Sequence, residues 1–269
     1  MTIVLASIAD DGNAIIMASD RMLSMPELTY QFEHDSPKIR NVGKYLVGYA
    51  GTTTFADDIL SHDYGTQNTI RAFVEALSTF YIKYGNRIAS RVLLESLGLD
   101  LETFNANPQN YPAPMQEMIY NKLGEEKLNV NFIVCGYDQD QPKIYTISQY
   151  GIYGTAHSVG YTAIGIGETH ATHFYMVNGF KFNTPLKEAI FFAFRAKKSA
   201  EIAAGVGKRT DICILEKPKE PAFYRDGTNF VAELNEIYMK YDKKQRKLYE
   251  REIVPELAKL PMEVPNENS

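Results

Sequence analysis

Residues 2–20 read TIVLASIADDGNAIIMASD. Two apolar runs, TIVLASIA (2–9) and NAIIMASD (13–20), flank Asp10-Asp11-Gly12, and the DDG turn signal makes them a β-hairpin. The first run reads as a buried strand with a hydroxyl residue, Thr2, directly after Met1. An antiparallel return brings Asp20, at the end of the second run, back beside Thr2. Methionine aminopeptidases remove Met before small residues such as Thr, so the mature chain is expected to begin at Thr2. A free α-amine titrates near 7.7–8.0, where a general base works well. Such a residue holds nucleophile and base together. A Met-Thr opening alone says little, because many chains begin that way.

Beyond the hairpin, LSMPELTYQFEHDSPK (23–38) is polar, and KIRNV (38–42) with YLVGYAG (45–51) forms a second strand pair around Gly43. TTFADDIL (53–60) opens a helix, with Thr52 to Thr54 available as N-caps. Ile70, Phe73, Val74, Leu77, Phe80 and Tyr81 recur at helical spacing within 68–98. NANPQNYPAP (105–114) reads as a loop, and MQEMIYNKLG (115–124) as a short helix ending at Gly124. Strands follow at 129–138, 143–150 and 161–167, then helices at 168–179 and 184–203, the second with Thr184 as N-cap and Pro185 at its first position. RTDICILE (209–216) is a further strand. This order predicts an α+β layered body of antiparallel sheets with outer helices, ending at residue 216. KPKEPAFYRDG (217–227) reads as a connector to an amphipathic helix over 228–259 and a disordered tail, PMEVPNENS (261–269).

Composition is that of a globular protein: 269 residues, 45% hydrophobic, 23% charged, net charge -5. No basic stripe points to nucleic acid, and KYDKKQRKLYERE (240–252) mixes both signs as a solvated helix face does. No apolar run reaches the roughly 18 residues of a membrane span, and no secretory leader is visible. A cytoplasmic protein with reduced cysteines is expected, and Cys135 and Cys213 sit in apolar runs as core thiols. His170 and His173 share a helix face without an evident third ligand, so no metal is expected. GVGK (205–208) lacks the remaining residues of a phosphate loop and precedes a strand, which argues against nucleotide.

The ordered set of motifs resembles the proteasome β-subunit family of N-terminal-nucleophile hydrolases, and within it the bacterial proteasome-like proteins. Carrying the likeness are Met-Thr before an apolar strand, ASDR (18–21), PKI (37–39) and VGYAGTTTFADDIL (47–60). NFIVCGYD (131–138) with KIYTISQYG (143–151), AIGIGETHATHFY (163–175), PLKEAIFFAFRAKKSAE (185–201) and TDICIL (210–215) extend it. It covers residues 2–216; the 105–114 loop, the lengthened first hairpin and the C-terminal helix fall outside the family core.

The resemblance implies a four-layer αββα sandwich and a threonine-type peptidase or amidase. Thr2 would be the nucleophile, Lys38 the cation that lowers its hydroxyl pKa, Asp20 the partner that keeps Lys38 charged, and the Gly51 N–H the oxyanion donor. It also implies a homo-oligomeric ring or stack acting on peptide or protein without any cofactor; an unfoldase partner is left unspecified. Two positions depart from the family. Ile166 stands where a Gly-Ser-Gly turn has Ser, and the Asp and Ser that follow the last core helix have no counterpart in AAGVGKRTD (203–211). Arg209, Thr210 or a water are the candidates to replace them. Two alternatives keep the fold: a non-catalytic ring subunit, or an amide ligase or transpeptidase in which an amine replaces water on the same acyl-Thr2.

Overall fold

The computed structural model describes residues 2–25, 30–95, 98–125 and 128–260. Met1 and the tail 261–269, whose removal and disorder the sequence suggested, lie outside the described residues.

Along the chain run β1 (Ile3–Ala9), β2 (Ala14–Ser19), β3 (Met22–Met25), β4 (Tyr30–Glu33), β5 (Ile39–Val42) and β6 (Tyr45–Gly51). Then come α1 (Thr53–Leu60), α2 (Ile70–Leu93), α3 (Leu101–Ala106) and α4 (Ala113–Glu125). β7 (Val130–Asp138), β8 (Gln141–Ile147), β9 (Tyr153–Thr155) and β10 (Tyr161–Gly165) follow, and α5 (Glu168–Val177), α6 (Leu186–Ala200), β11 (Asp211–Glu216) and β12 (Ala222–Tyr224) close the body. One five-stranded sheet has the order β10-β1-β2-β11-β12, the other β5-β6-β7-β8-β9; β3 and β4 make a separate hairpin. All pairings are antiparallel.

Strand periodicity builds the layers. Val4, Ala6 and Ile8 of β1 meet Leu46 and Ala50 of β6 and Ile133 and Cys135 of β7 in a core between the sheets. The alternate residues Tyr45, Val47 and Tyr49 of β6 and Phe132 and Val134 of β7 pack with Phe73, Val74 and Leu77 of α2. On the far side, α5 and α6 lie on β1, where the Tyr175 hydroxyl donates to Ser7 Oγ at 3.3 Å. Every residue of β1 and β2 is buried because both faces of their sheet are covered, which is why these runs are apolar at nearly every position. The body is the αββα sandwich. Cys135 and Cys213 are free thiols in the inter-sheet core, and burial pushes Cys213 up to about 12.

The sheets approach closely at Gly48, where a Cβ would lie 2.6 Å from Val4 Cγ1 and 2.7 Å from Met17 Cε. Gly48→Ala is expected to cost about 1–3 kcal/mol by overpacking. Adding Val4→Ala should recover part of that loss. A double-mutant cycle by urea unfolding checks this: strict additivity of the two costs would contradict the contact.

Three local readings change. Residues 217–227 are more than a connector, because Ala222–Tyr224 form β12, paired Cys213↔Phe223 with β11. The 105–114 segment is partly helical, closing α3 and opening α4 around Phe104, Leu94 and Ile119. Thr184 does not cap α6; it accepts the Lys181 N–H at 3.1 Å, and Pro185 is the N-cap. The chain divides into compact units at Asp226/Gly227. The second unit contains α7 (Asn229–Leu248), a widened π-helical turn (Tyr249–Ile253) and α8 (Val254–Leu257). The wide turn precedes Pro255, which lacks the N–H a regular helix would need there.

Candidate active site

The hairpin register sets the first contact. Val4 pairs Ser19, and the Asp20 N–H donates to the Ile3 carbonyl at 3.2 Å, so Asp20 ends β2 beside Thr2. Thr2 and Asp20 are buried, at 2% and 0% exposure. The Thr2 hydroxyl donates to Asp20 Oδ1. Oδ1 also accepts the Ile3 N–H at 3.2 Å, and Oδ2 accepts the Gly207 N–H at 2.7 Å and the Met22 N–H at 3.4 Å.

Lys38 directly precedes β5 and is held by its carbonyl, which accepts the Tyr49 N–H at 3.1 Å. Its side chain crosses from one sheet to the other. Nζ donates to Thr2 Oγ1, to Asp20 Oδ1 at 2.8 Å and to the Met22 carbonyl at 2.5 Å. Three ammonium protons thus meet three acceptors. Burial pulls the Lys38 pKa below the ordinary 10.5, and the Asp20 charge and hydrogen bond pull against that shift. A cation pressed on a hydroxyl oxygen stabilises the alkoxide that forms when the proton leaves, so the arrangement suits nucleophilic attack.

Gly51 ends β6 with φ +123°, and a Cβ there would lie 1.9 Å from the Asn129 carbonyl oxygen. The neighbour that excludes a side chain is the adjacent strand itself, not an incoming substrate. Gly165 links this strand end to Thr2: a Cβ on it would meet Thr2 O at 2.3 Å and Ala50 Cβ at 3.3 Å. The structure therefore draws Thr2, Asp20 and Lys38 into direct contact and sets the end of β6 close by.

The departures resolve as follows. Ile166, where the resemblance would place Ser, is half-exposed beside Gly165. Arg209 is committed to Asp226 at 2.9 Å and Asp35 at 2.8 Å, and Thr210 Oγ1 leans on the Lys208 carbonyl at 3.4 Å. From this loop it is the Gly207 backbone that reaches Asp20. Sequence reading passed over Gly207 and the buried Lys197 behind it. The signal was present: Lys197 interrupts the apolar stripe Ile190, Ala193, Phe194, Ala200 of α6. A second buried ion pair lies next to Asp20, where Arg21 meets Asp211 at 2.8 Å.

Among the described residues no group of three His, Cys, Asp or Glu is arranged to hold a metal ion, and His170 and His173 stand outside the Thr2 cluster. No helix among them is long and apolar enough to cross a membrane.

A family model described as proteasome subunit matches residues 106–215. Two solved structures are similar over nearly the whole chain. One is an Anbu (Gly-1) mutant from Hyphomicrobium sp. strain MC1, with TM-score 0.62, 12% identity, and coverage of 92% of this chain and 97% of that one. The other is Anbu (ancestral beta-subunit) from Yersinia bercovieri, with TM-score 0.60, 13% identity, and coverage of 98% and 100%. No curated protein matches. The fold is proteasome-like.

Proposed function

We propose that this protein is a threonine-type N-terminal-nucleophile hydrolase, a peptidase or amidase that works through an acyl ester on Thr2 within a proteasome-like homo-oligomer. The observation that carries the reading is the contact of Lys38 Nζ with both Thr2 Oγ1 and Asp20 Oδ1 in a buried cluster. A nitrogen tied in a peptide bond is no base. Exposing the Thr2 amine, by removal of Met1, gives the hydroxyl proton a second acceptor. Oγ then attacks the scissile carbonyl while the amine takes its proton. Lys38 steadies the oxygen before attack, and Asp20 steadies Lys38. The Gly51 N–H faces the oxyanion, a donor worth roughly 3–4 kcal/mol in such sites. Collapse expels the leaving amine with the proton held on the Thr2 ammonium. Water then attacks the ester with the same amine as base.

Intact mass after treatment with a β-lactone tests this. Wild-type chains should begin at Thr2 and gain one adduct each, Thr2→Ala should gain none, and native mass should show a homo-oligomer. A wild-type chain that retains Met1 and takes no adduct would sink the proposal.

A further inference from the structure

We propose that Lys197 is a positioning residue of the Thr2 centre: buried in α6, it clamps the Gly207 and Lys208 carbonyls and so aims the Gly207 N–H at the Asp20 carboxylate. The inference rests on the reading of Thr2 as nucleophile.

Lys197 is 0% exposed. Its ammonium donates to Glu201 Oε1 at 2.6 Å, the Gly207 carbonyl at 2.7 Å and the Lys208 carbonyl at 2.9 Å, so each proton has a partner. The peptide unit it grips belongs to the residue whose own N–H meets Asp20 Oδ2 at 2.7 Å. Asp20 is therefore held on two sides, with Lys38 on Oδ1 and the clamped loop on Oδ2. Gly207 has little room to shift, since a Cβ there would lie 2.7 Å from Glu33 Oε1 and 3.1 Å from Met22 Cβ.

The charged groups around Lys197 are Glu201 and Lys198 on its own helix and Asp20 from the end of β2. Burial pulls its pKa from 10.5 down to about 8, with Glu201 opposing. Burying an ammonium is costly even when it is paired, and an apolar residue would fit the stripe better on packing grounds alone. What the lysine adds is a fixed loop, and with it a fixed Oδ1 against Thr2 Oγ1 and Lys38. Loss of that anchor leaves the nucleophile in place but its partners misaligned, a fault worth tenfold or more in rate.

The test compares Lys197→Met, Lys197→Arg and Lys187→Met in the assembled protein. Two readouts are used: hydrogen exchange at the Gly207 amide, and β-lactone acylation resolved into a maximal rate and a half-saturating concentration. Lys197→Met should exchange Gly207 at least about tenfold faster. It should also acylate about tenfold more slowly at unchanged half-saturation. Lys197→Arg, which keeps the charge and the donors, should restore most of both. Lys187→Met removes the same charge from an exposed position of α6 and should match wild type.

Wild-type Gly207 protection in Lys197→Met, or equal defects in Lys197→Met and Lys187→Met, would overturn the proposal. Should Lys197→Met fail to fold, Lys197→Gln, which keeps a donor, is expected to fall between wild type and loss; wild-type values for it would overturn the proposal equally. A wild-type protein that takes no adduct would remove the hydrolase reading, whereas the Gly207 amide, read without substrate, decides the Lys197 clamp by itself.

Discussion

Lys38→Met is expected to slow acylation of Thr2 by about 10²–10⁴-fold, because it removes the only cation touching Thr2 Oγ1 among the described residues. It also strands Asp20 at 0% exposure with three backbone N–H donors but, among the described residues, no cation hydrogen-bonded to its carboxylate. Breaking a buried pair costs about 3–5 kcal/mol, and those remaining donors favour the lower end. The measurement is β-lactone acylation at a temperature where circular dichroism shows the variant folded. A variant that is folded yet acylates at the wild-type rate would remove Lys38 from the chemistry. The pH profile gives a second sign. Burial lowers the Lys38 pKa below 10.5, so acylation should fall with rising pH earlier than a free lysine would dictate. Stability moves the other way. Between the lowered value and 10.5 the unfolded chain binds more protons than the folded one, so stability rises with pH in that window. Alkaline loss of activity should therefore come without unfolding. Asp20→Asn removes the partner that holds the Lys38 pKa up and should move this limb to lower pH.

Gly51→Ala should be the most damaging small substitution in the body. It combines a left-handed φ of +123° with a Cβ 1.9 Å from the Asn129 carbonyl oxygen, which itself accepts the Thr52 N–H at 3.1 Å. Neither backbone can yield without parting the end of the β6–β7 ladder. A loss of about 4 kcal/mol or more is expected, or roughly 10 °C in Tm for a chain of this size. Gly43→Ala is the control: φ is +59° there with nothing within 4 Å, so about 1 kcal/mol should suffice. Equal Tm shifts for the two would contradict the close approach at Gly51. Acylation should fall with Gly51→Ala as well, since the proposed oxyanion donor moves with the strand.

The hairpin carried most of what could be read early. A DDG turn between two apolar runs fixes an antiparallel return, and the return places Asp20 opposite the start of β1. Lys38 and Gly51 needed the motif resemblance, because nothing local in PKI or YAG says that two sheets stack and that a lysine crosses between them. Short-range readings failed where tertiary pairing decides. Ala222–Tyr224 looks like a connector but completes a sheet edge, and Thr184 has the chemistry of a cap yet bonds Lys181.

By itself the sequence determined the β1–β2 hairpin, the main strands and helices and the nearness of Thr2 to Asp20, since side-chain period and turn chemistry are local, whereas β3, β4, β9, β12 and α3 came only with the fold. The tertiary structure alone decided which groups close around the carboxylate. Gly207 lies far along the chain from Asp20 and bonds through its backbone, which no side-chain pattern encodes. Lys197 looks like an error in an apolar stripe until the loop it grips is seen folded against it.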